Sequence, residues 1–435
     1  MSKEVYTTDE VFGVGRDLPL NYVSRDMVDT KFVESLGNQK HIVIYGSSKQ
    51  GKTSLRKKWL TDEDYVVISC QNRWSLAEMH AAVLKECGFE VRQSTEKTVS
   101  GIHKITVGLD AKGKIPFFAE SKVKGEYDYQ HSDHDKEVFA PLQLDPSDPN
   151  DIIRALNEAK FSKFVVLEDF HYLPDETQRD FSFSLKTFHE QSKLSFIIVG
   201  VWREENRLIG FNGDLTDRLL SVDVDTWKAD SLREVIDAGA TLLNVTFDET
   251  FVEQLLSRSF DSVHIVQEGC RRACHADDVL RTAEKEGTIV GATADVIEIV
   301  GQVVAEQAGR YQGFLMGFAD GFQETDLEMP RWIIYALLCS PIDELESGVR
   351  LRRISKIIKS KHPRGAQLNN GNITQILKTA ASLQNKKGTR PLVIDYDAAN
   401  TSLNVVDKGF LILLSSQNIP ELLEDLNLPD PVNAE

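Results

Sequence analysis

Two kinds of apolar pattern alternate along the chain. Short unbroken runs at His41–Tyr45, Tyr65–Cys70, Phe164–Leu167 and Leu194–Val199, with a weaker one at Leu220–Val224, have the character of buried parallel strands. Helix-length amphipathic stretches lie between them, among them Thr53–Leu60 and residues 75–87. This alternation predicts an α/β region with a largely parallel sheet. The rhythm changes over residues 90–145. There His103–Val107 and Pro116–Ala119 are short alternating stretches with Gly and Lys between, which predicts a β-hairpin insertion. Residues 228–300 carry no strand signal and predict a small helical bundle.

Beyond the bundle, Gly309, Gly313, Gly317 and Gly321 recur at every fourth position, with Phe314, Phe318 and Phe322 one step on. On a helix this makes a glycine stripe beside a phenylalanine stripe. Interior glycines cost about 1 kcal/mol each relative to alanine, so close helix packing, or an oligomer or partner surface, is expected to offset them. A membrane dimer motif is excluded, because Arg310, Gln312 and Asp320 interrupt the segment.

The last part of the chain has its own order. Pro330 opens an apolar helix (Arg331–Cys339), a basic helix (Leu351–Lys361) ends before Pro363, and a third helix runs from about Asn372 to Gln384. Strands at Pro391–Asp395 and Leu403–Val406 follow across a polar turn, then a short apolar helix from about Gly409. Three helices followed by a hairpin is the order of a winged helix-turn-helix. The acidic tail from Asn418 is expected to be loose.

A chain of 435 residues, 41% hydrophobic and 27% charged, can build two or three packed domains. The expected divisions are 1–226 for the α/β core with its insertion at about 90–145, 227–325 for a helical lid and the connecting Gly/Phe helix, 326–418 for the winged helix, and 419–435 for the tail. The net charge of −17 argues against a nucleic-acid partner, but it is unevenly spread. Residues 350–390 hold eleven Lys and Arg and no acid, which leaves 39 bases against 67 acids, or −28, for the remainder. Five cysteines, Cys70, Cys87, Cys270, Cys274 and Cys339, predict reduced core thiols in a cytoplasmic protein. No apolar stretch reaches the roughly 18 residues of a membrane span, and the N-terminus lacks a signal-peptide pattern.

The sharpest chemical signal is Gly46-Ser47-Ser48-Lys49-Gln50-Gly51-Lys52-Thr53, which matches G-x-x-x-x-G-K-[ST] between a predicted strand and a predicted helix. Its glycines let backbone amides approach phosphate oxygens, and the helix dipole adds a favourable field. Residues Gly46 to Ser54 are thus expected to cradle ATP, with Lys52 on the β- and γ-phosphates and Thr53 on Mg²⁺. The strand Phe164–Leu167 ends in Glu168 and Asp169. The pair resembles, in reversed order, the Asp-Glu pair of AAA-type ATPases, whose first acid holds Mg²⁺ and whose second polarises the attacking water. The resemblance implies that Glu168 takes the metal and that Asp169, with its shorter arm, orients the water. The segment HSDHDKE (His131–Glu137) reads as a solvated charged loop rather than a metal site, because no further ligand-spaced partner accompanies it.

Leu20-Asn21-Tyr22-Val23-Ser24-Arg25, followed by the helix Met27–Leu36, resembles the entry segment of AAA+ and STAND ATPases, with Ser in place of their usual Gly. In those families it lies along the adenine, which makes Tyr22 and Val23 candidates for the base pocket. Arg203 or Asn206 stands where these families place the sensor-1 residue. Gly213-Asp214-Leu215-Thr216-Asp217-Arg218 resembles the segment carrying their arginine finger, with Arg218 the candidate. Ser262-Val263-His264 opens a segment that resembles the sensor-2 helix of the origin-recognition ATPases, with His264 at the position of their arginine. The resemblance covers most of the chain, and the 90–145 insertion departs from it. The fold class it implies is an α/β P-loop NTPase sheet with a β-hairpin insertion, a helical lid and a C-terminal winged helix.

Two functions follow as expectations. The first is an ATP-switched, slowly hydrolysing Mg²⁺-dependent ATPase that binds DNA through its winged helix. Asn372, Thr374, Gln375 and Lys378 would then face the major groove, with Arg352 and Arg353 as further DNA contacts and Lys386, Lys387 and Arg390 on backbone phosphates. The second is a STAND-type signalling or defence switch whose winged helix makes protein contacts or autoinhibits. In either case an arginine supplied in trans implies a homo-oligomer or a partner protein.

Overall fold

The computed structural model describes residues 4–15, 17–98, 101, 103–109, 142–285, 287–323 and 325–431. In chain order the first strands are β1 (His41–Tyr45), β2 (Tyr65–Ser69), β3 (Phe89–Lys97), β4 (His103–Leu109), β5 (Leu142–Leu144), β6 (Phe164–Glu168), β7 (Phe196–Val199) and β8 (Leu219–Asp223). Five of them form one parallel sheet in the order β2-β6-β7-β1-β8. Strand β1 is buried at every residue, as its unbroken apolar run requires. Its alternate residues serve two cores, Val43 and Tyr45 in one and Ile42 and Ile44 in the other. Register sets the functional edge. Tyr45 pairs with Asp223 and Ser69 with Glu168, so the loops after β1, β6 and β8 emerge together at the carboxyl ends of the strands, where open α/β sheets take ligands.

The insertion contributes an antiparallel sheet in the order β3-β4-β5, one strand more than a hairpin. The Pro116–Ala119 and His131–Glu137 stretches lie outside the described residues. The lid contains the helices Ala229–Leu243, Glu249–Arg258 and Val263–Ala276, but it is not purely helical. Two strands, β9 (Val245–Phe247) and β10 (Thr288–Val290), pair in parallel within it. Three residues per strand is too short to leave a readable alternation. Cys270 and Cys274 are fully buried among the lid helices, as expected of core thiols.

The helix Ala308–Asp320 buries Tyr311, Phe314 and Phe318. Of the glycine stripe only Gly321, which ends the helix at φ 67°, is closely packed: a Cβ there would stand 2.8 Å from Pro330. A Cβ at Gly309 or Gly313 would meet no atom within 4 Å, and one at Gly317 only the Lys387 side chain at 3.5 Å. The packing falls on the aromatic side instead, where Phe314 meets Phe410 edge-on at 5.5 Å.

The C-terminal module comprises the helices Met329–Leu338 and Leu351–Lys361, a third helical stretch, and β11 (Val349–Arg350), β12 (Ile394–Asp397) and β13 (Ser402–Val405). Its strands form an antiparallel sheet in the order β11-β13-β12. The third helix begins earlier than expected, because Asn369 and Asn372 form a capping box ahead of it, and it is broken in two. Asn370–Lys378 and Ala380–Lys386 meet at Thr379, whose hydroxyl donates back to the Ile376 carbonyl at 3.0 Å. Nor is the tail loose. Residues Ile419–Asp425 form a helix, Leu423 is buried, and the Tyr335 hydroxyl donates to the Asp430 carbonyl. Among the described residues no helix is long and apolar enough to cross a membrane.

Both strands of the β12-β13 hairpin are buried at every residue, because the hairpin's outer side lies on the α/β core. Val201 and Tyr172 of the core pack with Ala381, Leu392 and Val406 of the module. Arg207 adds a buried ion pair, its Nη1 donating to both Asp395 carboxylate oxygens at 3.1 Å.

Candidate nucleotide-binding site

The loop Gly46–Thr53 runs from β1 into the helix Lys52–Trp59. Gly46 has φ 142°, and a Cβ there would stand 2.8 Å from Val224 and 2.9 Å from the Asp225 carboxylate. Gly51 opens the helix at φ 86°, in the left-handed region where only glycine is relaxed. Asp225, just past β8, clamps the first half of the loop by accepting from the Ser47 amide and hydroxyl, both at 2.7 Å. The next amide, Ser48, donates to the Val406 carbonyl of the C-terminal module at 2.8 Å. Among the described residues no hydrogen bond engages the amides of Lys49, Gln50 or Gly51. Those three amides are thus open, although the loop is anchored on both sides: Gln50 is buried, its side chain donates to the Asp261 carbonyl and accepts from the Val263 amide, and its carbonyl accepts from Trp227.

The Lys52 ammonium folds onto the loop, donating to the Gly46 carbonyl at 3.0 Å and the Ser47 carbonyl at 2.5 Å. Burial lowers its pKa to about 8, against the raising influence of Asp225, Glu168, Asp169 and Asp223. Four carboxylates therefore surround one lysine. Glu168 pairs with the buried Arg56 at 3.2 Å, and burial raises its pKa despite that partner. Asp169 stands in the left-handed region at φ 58°, also raised by burial but held back by Lys52 and then Arg390. The next turn buries His171, whose Nδ1 accepts from the Val201 amide at 3.2 Å. This is a structural bond between the segments that follow β6 and β7.

A cavity of about 260 Å³ adjoins the loop and brings together residues that are far apart in sequence: Tyr22 and Val23, Lys49 to Ser54, and His264. Each of these is a sequence candidate for nucleotide binding. Trp227 and Gln267 also line it. Arg25 stacks over Trp227 at 4.0 Å and donates to the Val224 carbonyl, tying the entry segment to the end of β8. Asn21 and Gln267 exchange side-chain hydrogen bonds at 2.8 and 2.9 Å, tying the same segment to the lid. His264 Nε2 lies 3.0 Å from Lys49 Nζ, and burial, then Lys49, drives the imidazole pKa down to about 3, so it is a neutral acceptor.

Other candidates fall elsewhere. Arg203 reaches Asp225 at 3.9 Å while donating to the Glu346 carbonyl, whereas Asn206 is exposed. Arg218 precedes β8, at the opposite edge of the sheet from the loop, and pairs with Glu190 at 2.8 Å. Within one chain it does not join the site.

The residues proposed for DNA divide into two groups. Arg352, Gln375 and Lys378 are exposed and Thr374 is half-buried, while Asn372 is used in its helix cap and Arg353 lies 3.4 Å from Glu344. Lys386, Lys387 and Arg390 are not on a free wing tip. Lys386 lies over Phe322 at 5.0 Å, Lys387 is 3.8 Å from Asp320, and Arg390 covers Tyr172 at 4.5 Å. With the hairpin docked on the core, this end of the basic patch is engaged by the chain's own residues.

Asp225 and Trp227 were missed in the sequence, although an acid just past the strand beside β1 was a usable signal. Nothing in the sequence marked Val406, because its contact with Ser48 exists only once two modules dock.

No family model matches the chain, and no curated protein does. Among solved structures it is similar to the Walker-type ATPase PABY2304 of Pyrococcus abyssi, at 14% identity and TM-score 0.48, over 93% of this chain and 99% of that one. It is also similar to the Aeropyrum pernix ORC1 protein solved in complex with DNA, at 12% identity and TM-score 0.40, over 98% of each chain. A third is Cdc6p from Pyrobaculum aerophilum, at 12% identity and TM-score 0.37, over 96% and 98%. The strand order and the loop after β1 give this chain the P-loop ATPase fold in its own right.

Proposed function

We propose that the protein is an ATP-binding switch of the AAA+/STAND type, in which the C-terminal module is a winged helix that docks on the P-loop and moves with nucleotide state. The observation that carries this reading is the hydrogen bond from Ser48 to Val406, which fastens the module to the phosphate loop itself. The residues fit ATP. The amides of Lys49, Gln50 and Gly51 are unengaged, Lys52 lines the same cavity and would exchange its loop carbonyls for phosphate, and Tyr22, Trp227 and His264 line the cavity for the base. Thr53 and Glu168 would hold Mg²⁺, which neutralises charge on the phosphates during transfer. Glu168 must then share its carboxylate with Arg56, and Asp169 orients water with a short arm, so slow turnover is expected.

Titration of the full chain with Mg·ATP and Mg·ADP, followed by small-angle scattering in each state, tests this. Binding accompanied by a change in overall dimensions between the two nucleotides supports the switch. Failure to bind either nucleotide, or one unvarying shape, rejects it.

The DNA-binding reading keeps one specific support. With the hairpin docked, Arg352, Lys356, Lys359, Lys361 and Lys378 remain exposed on the module's outer helices. A basic helical face of this kind suits backbone phosphates.

A further inference from the structure

Where the hairpin of the C-terminal module lies on the core, the docked face is rich in acids and short of cations. Strand β12 turns Asp395 and Asp397 to one side, because alternate residues of a strand share a face. That side meets the core, since Arg207 Nη1 donates to both Asp395 carboxylate oxygens at 3.1 Å. Both aspartates are buried. From the core, Glu204 stands three residues before Arg207 in the segment that follows β7, and it is 7% exposed. The Ala399 amide, in the turn between β12 and β13, is hydrogen-bonded to its carboxylate. Asp175, at the start of the helix Asp175–Gln191, lies within electrostatic reach of Arg207. Four carboxylates therefore share one guanidinium, with the Tyr396 phenol beside Glu204 and Asp397.

These acids are not equivalent. Asp395 takes the Arg207 fork, and Asp397 accepts from the Asn400 amide at 2.7 Å and from its side-chain amide at 2.8 Å. Both are well served as carboxylates. Glu204 has the Ala399 amide and must share Arg207 with Asp395. Burial raises its pKa to about 7, with Arg207 opposing and Asp397 and Asp395 adding to the rise. With the module lifted away, water would reach Glu204, and the charges of Asp395 and Asp397 would leave with β12. A solvated glutamate ionises near about 4.3. Between those two values the docked state binds one proton more than the undocked state. Docking is then strongest below about pH 4 and weakens as pH rises through 7.

We propose that docking of the C-terminal module is proton-linked: Glu204 takes up a proton as the hairpin closes over it, so acidification holds the module on the core and rising pH loosens it. The inference goes beyond the nucleotide reading and shares with it only that the module can leave the core. It gives the switch a second input. The proton acts at the hairpin's turn, whereas the phosphate loop meets Val406, just past its last strand.

Hydrogen exchange on the full chain, without nucleotide, tests this, because the Val406 carbonyl covers the Ser48 amide only while the module is docked. The opening constant of that amide, corrected for the intrinsic exchange rate at each pH, is compared with those of the Ile42 to Ile44 amides in β1. In wild type the Ser48 constant is expected to exceed theirs and to rise about tenfold between pH 6 and pH 8. Glu204→Gln, which keeps the shape of the protonated side chain, is expected to remove that rise. Glu205→Gln, at an exposed neighbour, is expected to retain it. A wild-type constant that ignores pH, or the same rise in Glu204→Gln, overturns the proton link and leaves a mobile module standing. A Ser48 amide that opens only together with β1 means that the module never leaves the folded core, and overturns the switch reading as well.

Discussion

The backbone amide of Ser48 donates to the carbonyl of Val406, and through that one bond the phosphate loop and the C-terminal module share a surface. Because the Ser47 amide is taken by Asp225, the loop divides into a half fixed by protein and a half open to phosphate. On the proposed switch, a ligand that shifts the open amides acts through the fixed half on the module.

The first prediction concerns the loop. Gly46→Ala would place a methyl group within 2.9 Å of Val224 and Asp225 in a backbone region that L-residues avoid. The cost should be about 1–3 kcal/mol, seen as a lowered midpoint in urea. Lys52→Ala removes the main fixed cation and should reduce nucleotide affinity at least a hundredfold, measured by calorimetry, with little change in fold.

The second concerns Arg207 and Asp395, whose side chains are 10% and 3% exposed. Asp395→Ala strands a buried guanidinium, so a loss of about 3–5 kcal/mol is expected. The double variant Arg207→Met/Asp395→Leu should recover much of it. Chemical denaturation of the three proteins, the two variants and wild type, checks both statements.

A third follows from Glu204, buried at the same interface. Burial, reinforced by Asp397 and Asp395 and opposed by Arg207, raises its pKa to about 7. A glutamate in the unfolded chain ionises near 4.3. Between those values the native state binds more protons, so Glu204's effect is full below pH 4 and is lost as pH rises through 7. Its share is at most about 4 kcal/mol. Unfolding measured from pH 5 to 8 should show stability falling with pH, and Glu204→Gln should flatten that slope.

How much of this was legible beforehand depended on the range of the interaction concerned. Strand β1 and the P-loop could be read because an unbroken apolar run and a glycine pattern are local properties, and both lie where expected. A largely parallel sheet was expected, but its order β2-β6-β7-β1-β8 was not, since strand order and register are set by contacts between distant segments. Glu168, Asp169, Tyr22 and His264 meet near one loop because each sat at a readable element end. The break at Thr379 depends on a hydroxyl's choice of acceptor, and the β9-β10 pair is too short to show a period. The contacts least legible beforehand were those of Lys386, Lys387 and Arg390. A run of bases looks alike whether it stands free or leans on another part of the chain, and only burial of Leu392 and Val406 separates the two.

That division of the basic patch yields the last prediction. If the module binds nucleic acid, its outward helices are expected to do so, because Arg352, Lys356, Lys359, Lys361 and Lys378 are exposed there and Lys359 meets only the neutral Asn370, whereas Phe322, Asp320 and Tyr172 engage the exposed cations beside the hairpin. Charge reversal of Lys356 and Lys359 together should weaken binding to a generic duplex. It should also lower the slope of log K against log salt by roughly 2, about 0.9 for each phosphate left without its cation. Lys386→Glu with Lys387→Glu should leave that slope unchanged in the docked state, since both side chains are already engaged within the chain. Fluorescence anisotropy from low to moderate salt, with Mg·ADP and with Mg·ATP, distinguishes the cases. A slope that responds to the second pair only in ATP would mean that Lys386 and Lys387 leave Phe322 and Asp320 when the third phosphate binds. No binding at low salt in either state would leave the module a purely protein-facing one, with Ser48 and Val406 at its working contact.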